Sequence, residues 1–414
     1  LTTAPRKGSS STKPSEAKTF NASRIGVLET PSSLLISNSG TFSPGLIWDS
    51  TIKLLKRAVT SECKEVRAIG SMLAIGCNSK TEGINGYCEF YEIHYTAIRN
   101  YRLPIYLMST ATALHPAKRL IVDAHHHFWD LSKNYHPWLR DEPPIAFRYG
   151  SYESIKKNYL MTDYLHDSNK YQIQGSVYVE TEWDPSDSKG EVQYIHELRQ
   201  SQALPTVAVM HVRLNDIDAA QKLEFQSTFD FVKSIRHKPK ANAKPGMAEE
   251  GGMMDKAWRQ GFEALNKFGL RFDLQTPWWH MHEAQSLAQA YPNTAIIINH
   301  SGLPADRSTE GIEAWSKAMK MVSYCPNVSV KISGIGVQNS RWTAQANGHI
   351  VKTLIDLFGI DRCMFASNFP VDKICASYEE IFTGFEEMVS DLTVGEQDKL
   401  FRLNAIRTYD MGLV

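Results

Sequence analysis

The sequence predicts an α/β fold, a (β/α)8 TIM barrel over residues 118–414 with an N-terminal extension of uncertain structure at 1–117. Three observations predict it. Eight short β-prone runs recur after residue 118, most of them followed by helical or loop-rich segments. Several runs are nearly all apolar, as strands buried on both faces are. Polar residues gather at the carboxyl ends of the runs, the face that carries chemistry in such a barrel.

The first run, LIVDAHH (120–126), ends in histidines. QGSVYVE (174–180) ends at Glu180, with Glu182 just beyond. TVAVMHV (206–212) holds His211 and leads to Arg213, and SIRHK (234–238) carries Arg236, His237 and Lys238. LRFDLQ (270–275) carries Asp273 and Gln275, and TAIIINH (294–300) closes on Asn299 and His300. VSVKIS (328–333) carries Lys331 and Ser333, and CMFAS (363–367) leads to Asn368. Helical periods lie between them at 280–291, 313–324 and 350–359; the first stops at YPN and the last at Gly359. An open doubly wound sheet is the rival architecture. It wants a glycine-rich phosphate turn after an early strand, where this chain has DAHHHFWD.

Before residue 118 the patterning is irregular. SGTFSPG (39–45) and NSKTEGINGY (78–87) are turn-rich, and IWDSTIKLLKRAV (47–59) has a helical period. No domain can be built from these residues, so they read as an extension partly disordered or packed on the barrel. Residues 1–27 hold five basic residues, one acidic residue and many Ser and Thr, a composition that fits an organelle-targeting segment or any disordered tail.

Composition bounds the function. A formal net charge of +0 gives no electrostatic case for nucleic acid or an anionic membrane. No run of eighteen apolar residues suggests a membrane span. The cysteines, Cys63, Cys77, Cys88, Cys325, Cys363 and Cys375, form no CxxC pair and read as free thiols in a reducing compartment. The expected setting is cytoplasmic. The expected partner is a small-molecule substrate, with a homo-oligomer left open.

Strand alternation turns His125 and His127 to one side and His126 to the other. An HxH pair on one strand can present two imidazoles to a divalent metal; it can equally be hydrogen-bonded core. His300 suits a metal ligand or a general acid/base, or simply caps the loop SGLPADR. Arg236 and His237 suit a carboxylate or a developing oxyanion. Glu180, Arg213, Asp273 and Gln275 are polar pocket candidates. Trp278 and Trp279 would wall a pocket for an organic substrate, or pack between barrel and helix.

DAHHHFWD with YHPWL (135–139) resembles the opening of the amidohydrolase 2 family, the amidohydrolase-related TIM-barrel lactonases and metal-dependent hydrolases. VYVETEWDPSD (177–187), IRHKP (235–239), FDLQTPWW (272–279), NHSGLPADR (299–307), VKISGIG (330–336), CMFASNFPVD (363–372) and NAIRTYD (404–410) follow in the family's order. The resemblance runs from about residue 118 to the end. It implies hydrolysis of a sugar-acid or dicarboxylate lactone by activated water, with one divalent ion (Zn or Mn) or none. His125 and His127 match the family's HxH pair, and His300 its later histidine. Many relatives end the last strand in a GSDWP-like motif whose aspartate is general base or metal ligand; here Asn368 stands in that place. Asparagine has no ionisable carboxylate, so the base role would pass to His300 or Asp273. Asp372, four residues on, is not assumed to replace it. The alternatives are a decarboxylase on the same barrel and a non-catalytic metabolite-binding barrel.

Overall fold

A computed structural model describes residues 118–247 and 251–413. The expected extension, its helix at 47–59 and the targeting composition at 1–27 lie outside the described residues. Eight strands form one parallel sheet in the order β1 to β8: β1 (Leu120–His126), β2 (Gln172–Val179), β3 (Val207–His211), β4 (Val232–Arg236), β5 (Arg271–Leu274), β6 (Ile296–Ile298), β7 (Val328–Ile332) and β8 (Cys363–Phe365). The sheet closes just past β8, where Asn368 N donates to His125 O (2.8 Å) and His127 N to Phe369 O (2.8 Å). A barrel leaves no sheet edge for another chain to pair with.

The helices follow in turn: α1 (Pro137–Arg140), α2 (Met161–Asp167), α3 (Gly190–Ser201), α4 (Ala219–Ser227), α5 (Lys256–Lys267), α6 (Met281–Ala290), α7 (Thr309–Ser323), α8 (Ala344–Phe358), α9 (Tyr378–Met388), α10 (Val394–Asp398) and α11 (Asn404–Tyr409). Two of the helices read from the sequence begin earlier than their periodicity shows, because capping side chains start them. The Ser308 side chain accepts from Gly311 N at the head of α7, and the Thr343 side chain from Ala346 N at the head of α8. Gly359 ends α8 at φ +75, where a side chain would be strained. No helix among the described residues is long and apolar enough to cross a membrane.

Apolar burial falls in two layers. Inside the barrel, Val122, Ala124, Val177, Val179, Val207, Val209, Ile297, Met364 and Ala366 pack with Ala405, Tyr409 and Met411, so the chain's last helix closes the amino-terminal floor. Outside, residues such as Phe272, Ile298 and Phe365 pack against the surrounding helices. With the floor sealed by apolar groups, polar inward residues are confined to the middle and the mouth.

The fourth strand ends two residues short of the sequence reading. His237 and Lys238 lie beyond it, because the His237 Nδ1 accepts from Leu214 N (3.0 Å) rather than letting the ladder continue. Likewise β6 stops at Ile298, and Asn299 and His300 belong to the turn that follows.

Candidate active site at the carboxyl ends of the strands

The opening histidines are set by a β-bulge. Asp123 pairs with Ser176 and His126 with Tyr178, so three residues of β1 span two of β2. The extra residue lets Ala124 and His125 both face inward. From there alternation resumes. His125 and His127 face the mouth, their rings 5.0 Å apart, and His125 lies 4.5 Å from the ring of His300. His126 points the other way, with its Nε2 2.8 Å from Ser176 Oγ among Phe128, Tyr164 and Tyr178. Neither ring nitrogen of buried His125 has a hydrogen-bond partner among the described residues.

His127 is held from both sides. Its Nδ1 lies 2.8 Å from Val179 O, and a carbonyl only accepts, so Nδ1 carries the proton. Burial, then the Arg236 charge, lowers its pKa to about 3, so the ring is neutral and Nε2 offers a lone pair. That lone pair faces Asn368 Oδ1 at 3.3 Å. The amide is oriented by its other end, since Asn368 Nδ2 donates to Asp372 Oδ1 (2.7 Å). Two acceptors therefore meet across 3.3 Å, an arrangement that a cation would satisfy. Among the described residues no three His, Cys, Asp or Glu side chains are grouped to hold a metal ion; the third donor here is an amide oxygen.

Backbone strain collects at this face. Positive φ occurs at Glu182 after β2, at His300, Ser301 and Leu303 after β6, at Asn339 after β7 and at Asn368 after β8. Such conformations cost roughly 1–3 kcal/mol each and persist only where surroundings impose them, as functional sites do. The His300 Nδ1 lies 3.1 Å from Ser333 Oγ. Burial, then the nearby Arg148 charge, holds His300 well below the usual histidine range, so it is a neutral acceptor. Gly334 makes room for both: a Cβ there would stand 2.7 Å from His300 Cβ and 2.8 Å from Arg148 Nη2.

Other sequence candidates divide. Arg236 is inward and buried, but three of its five N–H donors, at least one on each nitrogen, are committed. Nε donates to a Glu180 carboxylate oxygen, Nη2 to Glu180 O (2.6 Å) and Nη1 to Gln275 Oε1 (3.0 Å). Asp273 faces inward deeper down. It meets Lys331 Nζ at 2.6 Å, an ion contact rather than an aligned hydrogen bond, and accepts from Asn299 Nδ2 (2.8 Å) and Tyr409 OH (2.9 Å). Glu180, Arg213 and His237 line a cleft of about 530 Å³ between the loops after β1 to β4, with Trp138 and Trp183 on its walls. That volume suits a small organic ligand. Arg213 is half exposed and sits 3.5 Å from Asp216. Trp278 and Trp279 are not on that cleft: Trp278 packs on the outer apolar layer, and Trp279 Nε1 donates to Asn242 O (3.1 Å).

The cleft also contains a pH-sensitive carboxyl. Oε1 of buried Glu191 accepts from Thr181 N (2.7 Å), Tyr178 OH (3.0 Å) and Thr181 Oγ1 (3.0 Å). Burial, then the Glu180 charge, raises its pKa from 4.5 to about 8. Such a carboxyl binds more protons folded than unfolded, so its contribution is full below about 4.5 and is lost as pH rises through about 8. The wild type should lose roughly 3–6 °C in Tm between about pH 6 and about pH 9 relative to Glu191→Gln, which keeps the three acceptor contacts. Parallel melting curves for the two proteins would show the opposite.

Sequence reading passed over Arg148 and Tyr149, and it noted Asp372 without giving it a role. Tyr149 OH donates to Asp372 Oδ1 (3.0 Å) and Gly334 N to Asp372 Oδ2 (3.0 Å), while Arg148 lies 3.5 Å from Oδ1. The sequence signal for Asp372 was its place in FPVD, four residues after Asn368, where a tight turn brings Asp372 N back to Asn368 O (3.1 Å).

Comparison with known proteins bears on this geometry. A family model described as Amidohydrolase matches residues 122–411. The uncharacterized protein y4mH of Sinorhizobium fredii is 36% identical over 293 residues, covering 70% of this chain and 98% of the relative. An L-fucono-1,5-lactonase of Burkholderia multivorans is 25% identical over 306 residues, covering 70% of this chain and 96% of the relative. Among solved structures, an amidohydrolase of Burkholderia multivorans with bound zinc shares the fold with a TM-score of 0.59 at 21% identity, over 71% of this chain and 100% of that one.

Proposed function

The chain belongs to the amidohydrolase family, and from that premise we propose that it opens a small lactone, a sugar-acid or dicarboxylate lactone, by attack of water at the barrel mouth. The observation that carries the reading is a strained, neutral His300 beside His125 and His127 at the mouth. The likeness to L-fucono-1,5-lactonases supports it at the level of reaction class.

In this reading Ser333 fixes the Nδ1 side of His300 and leaves Nε2 to take a proton from water as its oxygen bonds to the lactone carbonyl carbon. The ring C–O bond then breaks, the ring oxygen is protonated, and a hydroxy acid leaves. The cleft beside Trp138 and Trp183 would hold the rest of the substrate. The donor set of His125, His127 and Asn368 Oδ1 fits a divalent cation such as Zn or Mn, because His125 is unpartnered and two acceptors converge beside it. A cation bound there would polarise a carbonyl or acidify water. All three donors are neutral, so binding should be weaker than with a carboxylate ligand.

The test is ring opening of a lactone panel, followed by proton release, with Zn or Mn supplied and after chelation. Acid release from one or more lactones is expected, and His300→Gln should lower kcat/KM by about 10²–10⁴-fold with the fold intact. Evolution of CO₂ without ring opening, or no turnover with or without metal, would defeat the proposal.

A further inference from the structure

We infer that the substrate carries a free carboxylate and that Arg148 receives it. This rests on the lactonase reading and names which lactones the site takes. Two arginines act on His300, Arg148 and Arg236, while half-exposed Arg213 on the cleft faces Asp216 at 3.5 Å. Arg236 has Nε, Nη1 and Nη2 engaged by Glu180 and Gln275. Arg148 is different. Among the described residues no hydrogen bond holds its guanidinium, and its nearest carboxylate oxygen, Asp372 Oδ1, is 3.5 Å away. Asp372 is already satisfied by Asn368 Nδ2, Tyr149 OH and Gly334 N.

The guanidinium is placed rather than loose. It lies over the Tyr149 ring, 4.5 Å from the centroid, with its side chain 27% exposed, so it is mostly desolvated and still reachable. Gly334 holds it against His300, since Arg148 Nη2 and His300 Cβ both lie within 2.8 Å of the point a Cβ there would occupy. A cation beside the proton acceptor can grip a substituent close to the carbon under attack.

Hydrogen-bond accounting at the mouth points the same way. Glu180 is matched by Arg236 and Asp273 by Lys331, and Asp372 has Arg148 as its charge partner at 3.5 Å with no hydrogen bond between them. The Arg148 fork is left with donors unused, in the geometry that pairs bidentately with a carboxylate. A neutral lactone leaves those donors to water. A lactone bearing a carboxylate fills them.

The experiment measures kcat/KM for paired lactones with and without a carboxylate substituent, in wild type, Arg148→Met and Arg148→Lys. The anionic-to-neutral ratio should fall by about 10–100-fold in Arg148→Met and less in Arg148→Lys, which keeps the charge without the fork. An equal loss for both lactones overturns the inference, because Arg148 would then be serving the developing oxyanion. Binding decides it separately: succinate should raise the Tm of wild type more than succinamide does, and the difference should vanish in Arg148→Met. Should no lactone be opened, the lactonase reading falls, and the succinate comparison still upholds or overturns the role of Arg148.

Discussion

Asp273→Ala is expected to destabilise the barrel by about 3–5 kcal/mol, because it strands a buried charge. Lys331 has 0% exposure, and its Nζ lies 2.6 Å from Asp273 Oδ1. Burial lowers the Lys331 pKa, and Asp273 opposes that shift. Alanine would leave the ammonium with no counter-charge and would free Tyr409 OH, which now donates to Asp273 from α11. The same carboxylate thus joins β5, β7 and the floor of the barrel. Replacing the pair by apolar groups, Asp273→Leu with Lys331→Met, should recover more than half of the loss, since the penalty comes from the unmatched charge. Urea denaturation of the single and double variants checks this. A single variant within about 1 kcal/mol of wild type, or a double variant no better than the single, would mean that the pair does not hold the core.

This buried pair marks the boundary of what was legible in the sequence. The eight strands could be read because both faces are buried and the runs are apolar throughout, as in Ile296–Ile298. The residues ending those strands were therefore the right ones to inspect. Their depth was not readable: Asp273 and Arg236 end neighbouring strands, yet Asp273 is tied to the floor helix while Arg236 borders the mouth. Alternation separated His126 from its neighbours correctly, but the bulge that turns Ala124 and His125 the same way depends on the register of β2. Arg148 lay hidden for a different reason. It stands in an irregular loop after β1 with no strand end to mark it, and only the folded chain brings it against Gly334 and His300. Whether Trp278 and Trp279 wall a pocket was likewise a matter of which side of the β5 turn they occupy; they face the outer layer and the Asn242 loop.

Asn368 was the departure that mattered most in the sequence, and the structure supplies a carboxylate beside it. Asp372 returns on the next turn to accept the Asn368 amide at 2.7 Å, and Asn368 Oδ1 is thereby aimed at His127. Asn368→Asp alone should restore the carboxylate at the strand end yet cost about 2–4 kcal/mol of stability, because two carboxylates would face each other in a buried turn. Exchanging the two residues, Asn368→Asp with Asp372→Asn, should recover most of that loss. The new amide nitrogen would donate to the Asp that replaces Asn368 and meet the rotatable Tyr149 hydroxyl, while its oxygen accepts from Gly334 N. Denaturation of the four proteins gives the coupling directly. Additive losses would show that the two side chains do not act as a unit. The exchange also moves negative charge from the outer member of the pair to the inner one, opposite His127 Nε2. Zinc affinity, read by titration against a chelating dye, should then rise about tenfold or more over wild type, as a carboxylate replaces an amide oxygen in the donor set. If affinity stays unchanged while stability is recovered, the Asn368 oxygen is a partner of His127 alone, and His125 would need a different reason for its two unpartnered nitrogens.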